Sequence, residues 1–244
     1  ANQAAAELLD AGDEEDDVFV YTVSDGNGGT DTANITITVK GENDAPTAQN
    51  DEGVIMEGST LTVANSANAN VSGSFDATGE HSGDMIDTSS SSHTDSDADA
   101  SASLSITHIK LSGGSNSTVA SSSSYNSNGT QIVGTYGTLT IGADGSYKYA
   151  ATTAAADALD TDESGTDTFV YTLKDDQDAI TTANLTITVL GANDAPVARD
   201  DSGTIVEDGT LTVNDGDGTS TISGASLVDG TSVRTEENDP RGLA

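Results

Sequence analysis

The sequence predicts an all-β chain built from antiparallel β-sandwich repeats. Three observations carry that prediction: apolar residues alternating with a period of two, Gly-, Asp- and Asn-rich turns between the alternating runs, and an internal duplication at an offset of 150 residues. The duplication is gap-free. Val18–Val63 aligns on Thr168–Val213 with 26 of 46 positions identical.

Taken in order, Phe19, Tyr21 and Val23 line one face of a first strand and Ile35, Ile37 and Val39 one face of a second, while Asn34, Thr36 and Thr38 point the other way. The intervening SDGNGGTD (Ser24–Asp31) tolerates positive φ and predicts a half-buried hairpin, with Asp25 capping its turn. The motif NDAP (Asn43–Pro46) follows, and Pro46 prevents the second strand from simply running on. TLTV (Thr60–Val63) is a further strand. Thr78–Ser103 and Ser112–Gly129, rich in Ser, Asp and Asn, are expected to be loops. Leu139 and Ile141 oppose Tyr147 and Tyr149 around the turn Ala143–Ser146, which predicts a second hairpin. Ala150–Leu159 has room for a helical turn or two at most. Phe169–Thr172, TANLTITV, Asn193–Pro196 and Thr210–Val213 then repeat the opening pattern, Asp175 standing where Asp25 stood.

Composition limits function. The chain of 244 residues carries 41 acidic against 7 basic side chains, a net charge of -34, which excludes the basic surface that nucleic-acid binding requires. No apolar run approaches the ~18 residues of a membrane helix, so no membrane insertion is expected. Cysteine is absent, which removes disulfides and thiolate metal sites. Two carboxylates about 4 Å apart repel by roughly 4 kcal/mol at an effective dielectric of about 20, and Lys and Arg are too few to offset this. Divalent cations are the remaining counter-charge, and calcium accepts irregular sets of oxygen ligands.

The acidic residues cluster by motif. Asn43, Asp44, Asp51 and Glu57 surround the first NDAP; Asn193, Asp194, Asp201 and Glu207 match them at the second. Asp95, Asp97 and Asp99 alternate in TDSDADA, a pattern that either wraps one hard cation or forms a solvated acidic face. The three histidines, His81, His93 and His108, occur in no HExxH-type spacing, and GxSxG and P-loop spacings are missing too, so the chain reads as no enzyme.

The stretches Tyr136–Ala151, Ala158–Asp175 and Ala183–Asp201, with Thr94–Thr107, resemble the VCBS repeat, an immunoglobulin/cadherin-like domain found in tandem in large bacterial surface proteins such as RTX adhesins. The resemblance implies that residues 1–45 are the C-terminal half of one repeat, 46–195 a complete repeat and 196–244 the start of a third. NDAP is similar to the cadherin linker. That likeness implies calcium held by the side chains of Asp44 and Asp194, by Asn43 and Asn193 through side chain or carbonyl, and by Glu57 and Glu207 from the following domain's side. Gly41 and Gly191 stand where the linker pattern has its leading Asp, which implies one ion per junction.

The function that follows is a calcium-stabilised extender of an extracellular adhesin, stiffening a tandem-repeat stalk in cell adhesion or biofilm formation, with neighbouring repeats of the same or an adjacent chain as its partners. Two alternatives remain open at this point. One is a strand-exchanged subunit of an extracellular filament. The other is a module whose Ser-rich loops bind a surface glycan or protein ligand.

Overall fold

The computed structural model describes residues 3–65, 79–87, 93–100, 102–195, 226–229 and 232–235. Its contacts divide the chain into two units, Ala1–Asp194 and Ala195–Ala244.

In the first unit a single-turn helix α1 (Gln3–Ala6) precedes the hairpin of β1 (Glu14–Ser24) and β2 (Thr30–Lys40). Every residue of both strands is paired, from Glu14 opposite Lys40 to Ser24 opposite Thr30. The hairpin is a two-stranded sheet by itself. Both of its faces are open, with Phe19 50% and Tyr21 43% exposed, so the half-burial expected of it is not met there.

The remaining strands of this unit make a sandwich. They are β3 (Asp51–Met56), β4 (Thr60–Val63), β5 (Glu80–His81), β6 (Ser105–Leu111), β7 (Ser117–Thr118), β8 (Thr130–Val133), β9 (Thr138–Ile141), β10 (Tyr147–Ala150), β11 (Ser164–Lys174) and β12 (Ile180–Leu190). One sheet has the order β5-β3-β12-β11-β6-β7, the other β4-β10-β9-β8. All pairs are antiparallel except β3 on β12, which is parallel. Alternation drives the packing: on β11 the buried residues are Gly165, Asp167, Phe169, Tyr171 and Leu173, and on β12 Ala183, Leu185, Ile187 and Val189. These inward faces meet Leu61, Val63, Leu139, Ile141, Tyr147 and Tyr149 of the other sheet in one core. Tyr149 and Phe169 meet edge to face with centroids 6.2 Å apart.

The predicted hairpin of Leu139 and Ile141 against Tyr147 and Tyr149 forms as β9 and β10, and Ala150–Leu159 is a run of turns. The segment expected as a loop over Thr78–Ser103 is more ordered than its composition suggests. Its described part contains β5, and Ser82, Asp84, Met85 and Asp87 are buried in it. Ser112–Gly129 likewise contains β7 and buries Val119 and Ser123.

In the second unit, β13 (Ser226–Asp229) and β14 (Ser232–Thr235) pair as an antiparallel hairpin.

Candidate functional site

The NDAP turn is built the same way twice. Asn43 Nδ2 donates to the Asp44 carbonyl (3.0 Å), and Asn193 Nδ2 donates to the Asp194 carbonyl (3.1 Å). The residues before it also repeat: Gly41 N–H donates to Asp13 O and Gly191 N–H to Glu163 O, each at 3.0 Å. At both glycines an added Cβ would overlap the carbonyl oxygen of the residue 31 positions earlier, Asp10 for Gly41 and Asp160 for Gly191. This steric limit explains why neither position carries the Asp of the linker pattern.

The first NDAP docks on the complete sandwich. Asp44 N–H donates to Asp99 Oδ2 (2.8 Å), and Asn43 Nδ2 also donates to Asp175 Oδ2 (3.1 Å). Asp175 is buried at the end of β11, and its Oδ1 accepts the N–H groups of Gln177 and Ala179, each at 2.9 Å. Asp25 caps the first hairpin identically, through Asn27 and Gly29. The capping expected of both residues is therefore present, and Asp175 has a further partner at the junction.

Asp97 completes this group. Burial holds its carboxyl above the usual range, Asp99 N–H (3.0 Å) draws it back, and the charges of Asp99, Asp175 and Asp44 add to the rise. Four carboxylates thus share the junction with Asn43. Asp97 Oδ2 and Asp99 Oδ1 are buried with no hydrogen-bond partner among the described residues, an arrangement that costs free energy unless a cation or water answers it.

Asp95 does not belong to that group. Ser96, which stands between Asp95 and Asp97, bridges by its backbone to Thr47, and the chain bends at Ala98 and Asp99. Asp95 turns instead toward Asp51. It is 3% exposed; Gln49 N–H donates to its Oδ1 (2.8 Å), and its N–H donates to Asp87 O (2.7 Å). Burial pushes its carboxyl up to about 7, with Asp87 and Asp84 adding to the rise. Asp51 is held well above the ordinary carboxylate range by burial, against the pull of hydrogen bonds from Tyr171 (2.8 Å) and Ser82 (3.3 Å), and the charges of Asp95 and Asp84 raise it further. Of the two readings left open for Asp95, Asp97 and Asp99, one cation loop or one solvated face, neither describes their placement: they divide between two acidic groups, and Asp51 lies with Asp95 in the inner one.

Glu57 moves furthest from its expected place. It follows β3, a strand of six residues that spans about 20 Å, and its N–H donates to Leu190 O (2.9 Å). Glu57 Oε1 accepts the Ala192 N–H (2.8 Å), and its Oε2 is buried without a partner among the described residues. Its companions are the residues leading into Asn193 and Asp194, not Asn43 and Asp44. A strand crosses the domain, so the side chain at its far end meets the residues after β12 rather than those before β3. Asp201 and Glu207 lie outside the described residues.

Sequence reasoning missed Asp84 and Asp87, which sit in a segment that reads as loop, and assigned Asp175 chiefly its cap, with ligation as the lesser reading. The signal for Asp175 was its retention at the equivalent of Asp25. For Asp84 and Asp87 the available signal is the apolar pair Met85-Ile86 between them, of which Met85 is fully buried. As the side chains stand, no three His, Asp or Glu residues converge on one point that could hold a metal ion among the described residues. No helix among them is long and apolar enough to cross a membrane.

A family model described as a bacterial cadherin-like domain matches residues 43–191, and one described as a bacterial Ig domain matches residues 6–38. No curated protein matches the chain.

Proposed function

Because the chain belongs to the family of bacterial cadherin-like domains, we propose that it is a structural extender of a bacterial surface adhesin, stiffened by calcium at its repeat junctions. Cadherin-like and Ig-like domains are typically non-enzymatic modules, and we assign the chain no catalytic role. The closer resemblance to VCBS repeats of RTX adhesins, the extracellular location and a part in adhesion or biofilm formation belong to the same proposal.

One observation supports it above the others. The first NDAP reaches Asp99 and Asp175 through Asp44 N–H and Asn43 Nδ2, beside the buried, partnerless oxygens of Asp97 and Asp99. The residues present suit a hard cation: the donors are oxygens of carboxylates on three separate stretches of chain, and Lys and Arg do not enter the group. Asp97, Asp99 and Asp175 would hold it, with Asp44 at the rim. Calcium supplies the counter-charge there. The chain's own part is to fix where the linker leaves the domain, since Pro46 is buried and restricts φ, while the two hydrogen bonds tie Asn43 and Asp44 to opposite sides of the acidic group. A linker held at both sides transmits orientation from one repeat to the next.

Thermal melting with calcium and then with EDTA tests this. At about 100 times its dissociation constant an ion adds roughly 2.7 kcal/mol, which moves the midpoint of a domain of this size by about 5–10 °C. An unchanged midpoint contradicts the proposal.

A further inference from the structure

A second group of carboxylates lies inside the repeat and shares no residue with the junction. Asp51 comes from the start of β3, Asp84 and Asp87 from the turn after β5, and Asp95 from the segment before the Ser96 bridge. Their exposures are 1%, 0%, 1% and 3%. Asp51 stands in the field of Asp95 and Asp84, and Asp95 in that of Asp87 and Asp84. No Lys or Arg is among the buried residues described. Each ionised carboxylate taken from water without compensation costs several kcal/mol, so folding has concentrated charge where it is most expensive.

A buried acid in this domain can be satisfied by protein alone. Asp167, 2% exposed, accepts the N–H groups of Thr135 (2.8 Å) and Tyr136 (3.0 Å) and the Tyr149 hydroxyl (2.6 Å). In the inner group, Asp95 Oδ2 has no hydrogen-bond partner among the described residues. An independent, uncharged group points the same way: Tyr147 is 0% exposed, its hydroxyl has no hydrogen-bond partner among the described residues, and it lies within electrostatic reach of Asp51 and Asp84. Leaving a buried hydroxyl unsatisfied costs about 1–3 kcal/mol, and buried tyrosines usually find a partner, as Tyr149 and Tyr171 do here. An unmet hydroxyl and an unmet carboxylate oxygen beside the same acids call for a ligand that is positive and carries water.

We infer that this inner acidic group is a divalent-cation site internal to the repeat, taking calcium with part of its hydration shell, with Asp51 and Asp95 as its principal carboxylates. Since the acids do not converge on one point as they stand, the ion keeps several waters and the carboxylates turn toward it. A water in that shell donates to Tyr147 Oη. Calcium suits this better than magnesium, which demands near-ideal octahedral geometry. The site braces β3, the turn after β5 and the Asp95 segment from within, so it stabilises a single repeat even without a neighbour.

The test uses the whole chain, stripped with chelator and returned to millimolar calcium, with bound ions counted by native mass spectrometry. Asp95→Asn is expected to lose one ion relative to the unaltered chain, and the Asp97→Asn/Asp99→Asn variant to lose a different one, so that combining them loses both. Tyr147→Phe, a substitution the core should accept, is expected to keep the ion but bind it about 10- to 100-fold more weakly, measured by competition with a chromophoric chelator. An Asp95→Asn chain with the full ion count, or a Tyr147→Phe chain with undiminished affinity, overturns the inner site. Should Asp95→Asn fail to fold, the Tyr147→Phe affinity decides. If the Asp97/Asp99 variant keeps every ion while Asp95→Asn loses one, the junction proposal falls and the inner site stands.

Discussion

The chain contains one hairpin twice, in two environments. β1 and β2 repeat β11 and β12 at an offset of 150 residues, residue for residue in register: Phe19 opposes Ile35 as Phe169 opposes Leu185, and Tyr21 opposes Ala33 as Tyr171 opposes Ala183. Yet Phe169 and Tyr171 are 0% exposed, whereas Phe19 and Tyr21 are 50% and 43% exposed. What differs is the company. β12 has β3 along its outer edge, β11 has β6, and the sheet of β4, β8, β9 and β10 covers one face; no other strand pairs with β1 or β2 among the described residues. The comparison separates what local sequence specifies from what tertiary packing supplies. Turn chemistry and cross-strand pairs are enough to define strands and register; burial, and with it stability, comes from the rest of the repeat.

The largest test of that separation is a pair of matched truncations. Phe169→Ala should cost about 3–5 kcal/mol, the usual loss for a buried aromatic, while Phe19→Ala should stay within about 0.5 kcal/mol. Urea unfolding of each variant reads both. Equal costs would mean that the first hairpin is packed as firmly as the second, and the contrast drawn above would be lost.

A smaller effect comes from a position where the two copies have diverged. Gly165 lies under the Tyr136 ring, and an added Cβ would overlap it; the equivalent in the open hairpin is Glu15, which is exposed. Gly165→Ala should therefore cost about 1–3 kcal/mol through overpacking, and Glu15→Ala about 0.5 kcal/mol or less. A Gly165→Ala chain as stable as the unaltered one would show that Tyr136 moves aside freely.

These two positions also show what could be read in advance. The alternation of Phe169, Tyr171 and Leu173 made the strands legible because period two is a local property. The register of both hairpins followed from SDGNGGTD and its partner turn. Whether a given copy is buried was not legible: Phe19 and Phe169 lie in the same FVYT, and burial depends on strands remote in sequence. The acidic sites divide likewise. NDAP announced a junction, and its Asn-to-backbone bond recurs in both copies. The grouping of the acidic residues followed chain path instead. The bridge of Ser96 to Thr47 stands between Asp95 and Asp97, the length of β3 carried Glu57 to the opposite end, and Asp84 and Asp87 were hidden by Ser-rich surroundings that describe a loop in composition but not in packing.

The smallest and most discriminating contrast lies at the two hairpin turns. Asp25 and Asp175 each accept two backbone N–H groups through Oδ1, so Asp25→Asn keeps an oxygen for the turn and should change stability in EDTA by about 0.5 kcal/mol or less, whereas Asp175→Asn also sets an Nδ2 donor against Asn43 Nδ2 and should cost about 1–3 kcal/mol in EDTA. Only Asp175 lies beside Asp97 and receives Asn43. Asp175→Asn should weaken calcium binding about tenfold, which removes roughly 1.4 kcal/mol of calcium-dependent stability, whereas Asp25→Asn should leave the calcium increment intact. Melting both variants with and without calcium distinguishes a carboxylate that only closes a turn from one that also answers a cation. If Asp175→Asn retains the full increment, its second oxygen serves Asn43 alone, and the junction is held by hydrogen bonds rather than by an ion.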